Sequence, residues 1–186
     1  MLTKEEIQII EGCRNGDEAC QKLLYDTYGP MIKGVCVRYA GDIDEAEDLF
    51  HDIIIFILTH FEQFDHITSL GGWLKRIAVN KVIDYLRHKK IRQSIPMSQL
   101  EMDVEDDKET GYDGIPMNVL LEFIQQLPLK YRTAFNLYII DEFDQTTIAE
   151  MMQETMSNVR SLLSRARKML RQNIEKYLKN EEYHYE

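Results

Sequence analysis

The chain has 186 residues, 44% of them hydrophobic and 29% charged, with 22 Lys or Arg against 32 Asp or Glu and a formal net charge of −10. That length allows one large domain or two small ones, and the apolar content allows a packed core. No apolar run reaches the roughly 18 residues of a membrane span, and the acid-bearing opening "MLTKEEIQII" is unlike a signal peptide, so a cytoplasmic protein with no membrane insertion is expected. Cys13, Cys20 and Cys36 form no C-x-x-C pair and are read as small buried apolar residues of a reducing compartment, not as a disulfide or metal set.

Spacing near 3.6 residues recurs along the chain and period-2 alternation does not, so the expected fold class is all-α. Thr3 can cap a first helix over about 4–13, which "RNGD" ends. Asp17 can cap the next, running to about 40, with Gly29-Pro30 expected to break or kink it. Asp44 is placed at the start of a third helix, 44–63, with Leu49, Ile53, Phe56, Ile57 and His60 on one side. "DHITSLGG" reads as a short loop in which Gly71 and Gly72 grant backbone freedom. A helix over 73–90 follows.

Residues 91–118 hold two basic and seven acidic side chains and few large apolar ones. Such a segment cannot bury enough surface to offset its ordering entropy. A flexible acidic linker is therefore expected over 93–117, between domains at 1–92 and 118–180, with 181–186 as a tail. Beyond it, helices are expected near 117–126, 129–140, 145–152 and 156–178.

Positive charge is concentrated in two places. "WLKRIAVNKVIDYLRHKKIR", residues 73–92, holds seven Lys or Arg, one acid and the only Trp. On a helical wheel Leu74, Ala78, Val79, Val82, Ile83, Tyr85 and Leu86 fill one half. Trp73 falls on the other half, beside Arg76, Asn80 and Arg87. That combination suits nucleic acid: the guanidinium binds phosphate, the amide reads a base edge and the indole stacks on or wedges against a base. A Trp covered by the neighbouring loop, beside a solvated basic face, is the competing reading.

The second block, "TMSNVRSLLSRARKMLRQ", is sharper. Met156, Val159, Leu162, Leu163, Ala166, Met169 and Leu170 share one side. Ser157 precedes a face of Asn158, Arg160, Ser161, Ser164, Arg165, Arg167, Lys168 and Arg171, which carries five positive charges and no acid. Short hydroxyl side chains allow close approach to a phosphate backbone, and arginines hold it or reach guanine. "DQTTIAEMM" before it is a short amphipathic helix, and Thr155 can cap the second helix after a tight connection. Two short helices so joined, the second basic, describe a helix-turn-helix; a solvated face in an ordinary bundle is the alternative.

In order along the chain, "GDEACQKLLYDTYGPMIKGVCVRYAGD", "DEAEDLFHDIIIFILTHFEQF", "LGGWLKRIAVNKVIDYLRHKK", "LPLKYRTAFNLYIIDEFDQTTIAEMM" and "SNVRSLLSRARKMLR" resemble the bacterial extracytoplasmic-function sigma factors. These are two-domain promoter-recognition subunits of RNA polymerase. The resemblance implies a non-catalytic initiation subunit whose first domain binds core polymerase and melts and reads the −10 element, while the second reads −35. It implies core RNA polymerase and promoter DNA as partners, an anti-sigma factor as a further one, and a linker that threads the polymerase channel used by RNA; a monomer is the default for the free chain.

The implied −10 residues are Ser69, in a loop that would hold a flipped base, with Trp73, Arg76, Asn80 and Arg87. The implied −35 residues are Ser157, Asn158, Arg160, Ser161, Ser164, Arg165 and Arg167. Asp44, Glu47, Asp48 and Asp52 are expected to face a basic polymerase surface, although negative charge near a helix N-terminus is stabilising by itself. The family usually has Gly and then an aliphatic residue in the helix-turn-helix turn, where this chain has Gln153 and Glu154. A left-handed backbone at Gln153 would carry modest strain, and Met156 is expected to supply the apolar contact that Glu154 cannot. Leu162 stands where a basic residue is often seen.

A free-standing helix-turn-helix regulator would need a dimerisation or ligand domain, and residues 1–92 show no pocket chemistry for one. His51-Asp52 lacks a second His cluster at ligand spacing, so no metal, cofactor or catalytic residue is expected.

Overall fold

The computed structural model describes residues 2–61, 68–92 and 115–182. Its elements are α1 (Lys4–Arg14), α2 (Glu18–Tyr39), α3 (Ile43–His60), α4 (Leu70–Arg92), α5 (Met117–Gln126), α6 (Leu129–Phe135) continued by a π-helical turn (Asn136–Ile140), α7 (Gln145–Met152) and α8 (Met156–Glu182). Among the described residues there is no strand, as expected of an all-α chain. The chain divides into two compact units, Met1–Ser94 and Ile95–Glu186. Most of the expected linker and the end of the tail, 93–114 and 183–186, lie outside the described residues.

In the first unit α1 starts with a capping box. Thr3 accepts the Glu6 N–H, and the Glu6 carboxylate accepts the Thr3 N–H at 2.7 Å. Gly12 lets α2 begin against α1, because a Cβ there would overlap the Cys20 side chain. Asp17 caps α2 through the Cys20 N–H at 3.0 Å. The break expected at Pro30 is absent, and α2 runs through it. Pro30 leaves the Asp26 carbonyl without its i+4 donor; both residues are exposed, so water can take the place of the lost bond.

Two further boundaries differ from expectation. Asp42, not Asp44, caps α3, accepting the Glu45 N–H at 2.8 Å. Gly71 and Gly72 belong to α4 and not to a loop. Ser69 caps that helix through the Gly72 N–H at 3.3 Å, and Glu6, 64 residues away, accepts the Leu70 N–H at 3.2 Å. With its first N–H groups satisfied from outside, the helix starts despite two glycines.

The core of this unit joins Leu24, Ile32 and Tyr39 of α2, Ile53 and Ile57 of α3, and Leu70, Leu74 and Val82 of α4, all fully buried. On α3 the buried stripe is Ala46, Leu49, Phe50, Ile53, Ile54 and Ile57; the expected Phe56 and His60 are only half-buried. The three cysteines are buried and free, and burial pushes the Cys13 and Cys36 thiols up to about 11.

In the second unit Leu127, Ala166 and Leu170 pack with Phe123, Ile124, Tyr131, Phe135 and Met169. Arg132 is buried, and its guanidinium donates to the Gln125 carbonyl at 3.0 Å and to the Gln125 side-chain oxygen at 2.7 Å. Helix α6 does not continue regularly to 140; the π turn intervenes, and Glu142 follows at φ 60°. Helix α8 is longer than expected, reaching Glu182.

Candidate nucleic-acid interfaces

The sharper of the two basic faces is built by α7, its turn and α8. Asp144 caps α7, accepting the Thr146 and Thr147 N–H groups at 2.9 Å and the Thr147 hydroxyl at 2.7 Å. The Thr147 N–H, first among these donors, holds the Asp144 carboxyl below its ordinary range. Gln153 ends α7 in the left-handed region, at φ 54° and ψ 46°. Its N–H donates to the Glu150 carbonyl and that of Glu154 to the Ala149 carbonyl, the paired bonds of a Schellman ending. The left-handed turn expected at Gln153 is therefore present without glycine. Thr155 caps α8 through the Asn158 N–H at 3.1 Å.

Val159, Leu162, Leu163, Ala166, Leu170 and Ile174 of α8 are buried. Leu162 thus serves the core, which accounts for the absence of a basic residue there. Ser157, Asn158, Arg160 and Arg167 are exposed, and Ser161, Ser164 and Arg165 are half-buried on the flank of the same face. Several of these side chains are held from below. Arg160 Nε donates to Gln145 of α7 at 3.2 Å, and the Arg167 guanidinium lies 5.8 Å from the centre of the Tyr138 ring. Glu154 does what an aliphatic residue in the turn cannot. One carboxylate oxygen accepts from Lys130 Nζ at 2.9 Å and the other from Asn158 Nδ2 at 3.1 Å.

The other face lies on α4. Arg76 and Asn80 are exposed. Trp73 is half-buried, its ring set edge-on to Phe61 at 5.3 Å between centroids, so it is neither wholly free nor wholly core. Ser69 spends its hydroxyl on the helix cap. Arg87 is paired with Asp84 on its own helix, Lys81 sits 3.4 Å from the centre of the Phe56 ring, and Lys89 is bound to Glu45. Much of the basic block is thus engaged internally, and among the described residues Arg76 and Asn80 are exposed polar groups near Trp73.

The acids of α3 also separate. Glu45, with a side chain only 9% exposed, accepts from the Tyr85 hydroxyl at 2.6 Å, from Lys89 and from the Gly41 N–H. Burial alone would raise its carboxyl; those hydrogen bonds outweigh burial and leave it below the usual range. The same bond to Glu45 pushes the Tyr85 hydroxyl up to about 12. Glu45 therefore ties α3 to α4. Asp44, Glu47, Asp48 and Asp52 are exposed. Glu47 pairs with Lys33 at 3.1 Å, while Asp48 and Asp52 line a cleft with Tyr85 and Lys89.

Comparison with known proteins matches the chain in two separate stretches. A family model for sigma-70 region 2 matches residues 24–91, and one for sigma-70 region 4 matches 117–170. The ECF RNA polymerase sigma factor SigW of Bacillus subtilis is 28% identical, over 94% of this chain and 97% of its own. The RNA polymerase sigma-H factor of Pseudomonas aeruginosa is also 28% identical, over 96% and 99%. The chain belongs to the extracytoplasmic-function sigma factors. Among solved structures, the sigma factor RpoE in complex with the anti-sigma factor NepR, from Bartonella quintana, matches 83% of this chain and 96% of its own at 18% identity and a TM-score of 0.53. CnrH in complex with the cytosolic domain of CnrY matches 93% and 99% at 15% identity and a TM-score of 0.51; at these identities the likeness is one of fold. As a member of this family the chain is a promoter-directing sigma factor. Region 2 takes in α3, α4 and most of α2, and region 4 runs from α5 through the polar face of α8, so both basic faces fall inside the matched regions.

Proposed function

We propose that the two exposed faces divide the promoter between them: the N-terminal turns of α8 read the −35 element, and Trp73, Arg76 and Asn80 of α4 hold unpaired bases of the −10 element. The observation that carries this reading is the α7–turn–α8 unit. Its capped second helix presents Ser157, Asn158 and Arg160 at its start and Arg167 beyond. Side chains in the first turns of such a helix enter the major groove, and later ones meet phosphate.

In this reading Asp48 and Asp52 face core polymerase, and the chain acts in the cytoplasm as a non-catalytic subunit with no cofactor of its own. The domain limits 1–92 and 118–180 follow from the same reading, with the acidic stretch 93–117 between them. Since RpoE was solved with an anti-sigma factor, a partner of that kind, binding the otherwise monomeric chain, belongs to this reading. Among the described residues no helix is long and apolar enough to cross a membrane.

A salt titration tests the −35 assignment. An Arg bidentate to guanine discriminates by roughly 1–3 kcal/mol, whereas a phosphate contact weakens all sequences alike. Replacing exposed Arg167 with alanine is expected to weaken holoenzyme binding to every −35 variant and to lower the slope of log K against log salt by about 0.9. Asn158→Ala is expected to reorder the −35 variants with little change in slope. If both variants keep the parent's ranking and slope, α8 does not dock on this element.

A further inference from the structure

We propose that Glu154, in the helix-turn-helix turn, sets base preference through Asn158 and is a specificity-determining positioning residue. The proposal rests on the reading of α8 as the −35 helix. The Glu154 side chain is only 14% exposed and stands between two donors, Lys130 Nζ at 2.9 Å and Asn158 Nδ2 at 3.1 Å. A carboxylate only accepts hydrogen bonds. The amide of Asn158 therefore has one orientation against it, nitrogen toward Glu154 and oxygen away.

An unrestrained Asn offers a base either its donor or its acceptor end and discriminates poorly. Held this way, Asn158 leads with its oxygen. In the major groove the partners of an outward acceptor are the amino groups, N6 of adenine and N4 of cytosine; thymine O4 and guanine O6 offer that oxygen no donor and leave it unpaired. The second N–H of the amide stays available, so adenine, with N6 as donor beside N7 as acceptor, matches the pair best. Lys130 offsets the Glu154 charge, which would otherwise repel phosphate. The backbone N–H of Glu154 is separately committed to the Ala149 carbonyl, and that bond is independent of the side chain.

The experiment uses holoenzyme reconstituted from core polymerase and the full chain, with promoter fragments randomised across the −35 element and the bound fraction sequenced. The wild-type protein is expected to prefer an amino-bearing base at one position by about tenfold. Asn158→Ala is expected to abolish that preference. Glu154→Gln keeps the shape but offers Asn158 either a donor or an acceptor, and is expected to flatten the preference several-fold; it also removes the negative charge set against Lys130, which is expected to lower the melting temperature somewhat and to strengthen binding to all sequences alike. Lys130→Gln, which spares the Glu154–Asn158 bond, is expected to retain the preference and weaken binding overall. If Glu154→Gln keeps the wild-type preference where Asn158→Ala loses it, the proposal fails while the reading of α8 stands. If Lys130→Gln flattens the preference equally, the effect comes from a loosened turn and the proposal again fails. If Asn158→Ala changes nothing, Asn158 reads no base and the proposal fails; the reading of α8 falls with it only where Arg167→Ala also leaves the salt slope unchanged.

Discussion

Trp73→Ala is expected to cut open-complex formation on a fully duplex promoter by about tenfold or more, and a template already unpaired at −10 is expected to recover most of that loss. Holding a flipped or unstacked base against the duplex must offset a few kcal/mol, and stacking on an aromatic supplies roughly 1–3 kcal/mol per base. On a premelted template the unpairing cost is gone, so the same deletion matters less. Trp73 also packs edge-on against Phe61, and losing that geometry costs about 0.5–1.5 kcal/mol beyond the buried area. A typical domain stability of about 5–15 kcal/mol absorbs this, so the variant stays folded with a lowered melting temperature. Trp73→Phe, which keeps a ring against Phe61, separates the two roles: it is expected to restore more of the melting temperature than of the opening rate. Equal deficits on duplex and premelted DNA would show that Trp73 acts in the fold and not at the unpaired bases.

The double reversal Asp48→Lys with Asp52→Lys is expected to lower affinity for core polymerase by roughly tenfold. An exposed ion pair contributes about 0.2–1 kcal/mol; reversal replaces attraction with repulsion at two sites one helical turn apart, and the penalties act together. These two acids lie beyond the first turn of α3, so interaction with the helix N-terminus does not account for them. Glu47→Lys is expected to have a smaller effect, because Lys33 already offsets Glu47 at 3.1 Å. Competition for labelled core polymerase at two salt concentrations measures both, and a melting curve checks that the new lysines beside Lys89 leave the unit folded. Core affinity unchanged in the double variant would remove Asp48 and Asp52 from the interface.

Local chemistry was legible in the sequence wherever it acts over a few residues. Thr3, Asp17 and Thr155 cap the helices that their positions suggested, and the apolar stripe of α8 is the buried one. The departures come from partners far away in the chain. Gly71 and Gly72 looked like loop because paired glycines disfavour a helix; Ser69 caps it locally, and Glu6, far away in the chain, accepts the Leu70 N–H. Pro30 looked like a break, but the carbonyl it strands lies on a solvated face. The basic block of α4 looked more available than it is, since the partners of Lys89 and Lys81 lie on α3. Two signals were present and unused: Asp84–Arg87 at i, i+3 and Glu154–Asn158 at i, i+4 are pairs that a helix and its first turn bring together. The latter turns an apparent departure from the family pattern into a contact on the recognition helix.

The central claim, that this chain confers promoter selectivity on polymerase, is tested most directly by run-off transcription from a library of genomic fragments with purified core polymerase, with and without the full chain. Discrete start sites that appear only when both are present, and that share sequence at −10 and −35, are the predicted result. Selective binding of the same fragments by the chain alone, with no transcript added by core polymerase, would contradict it and mark a free-standing regulator instead.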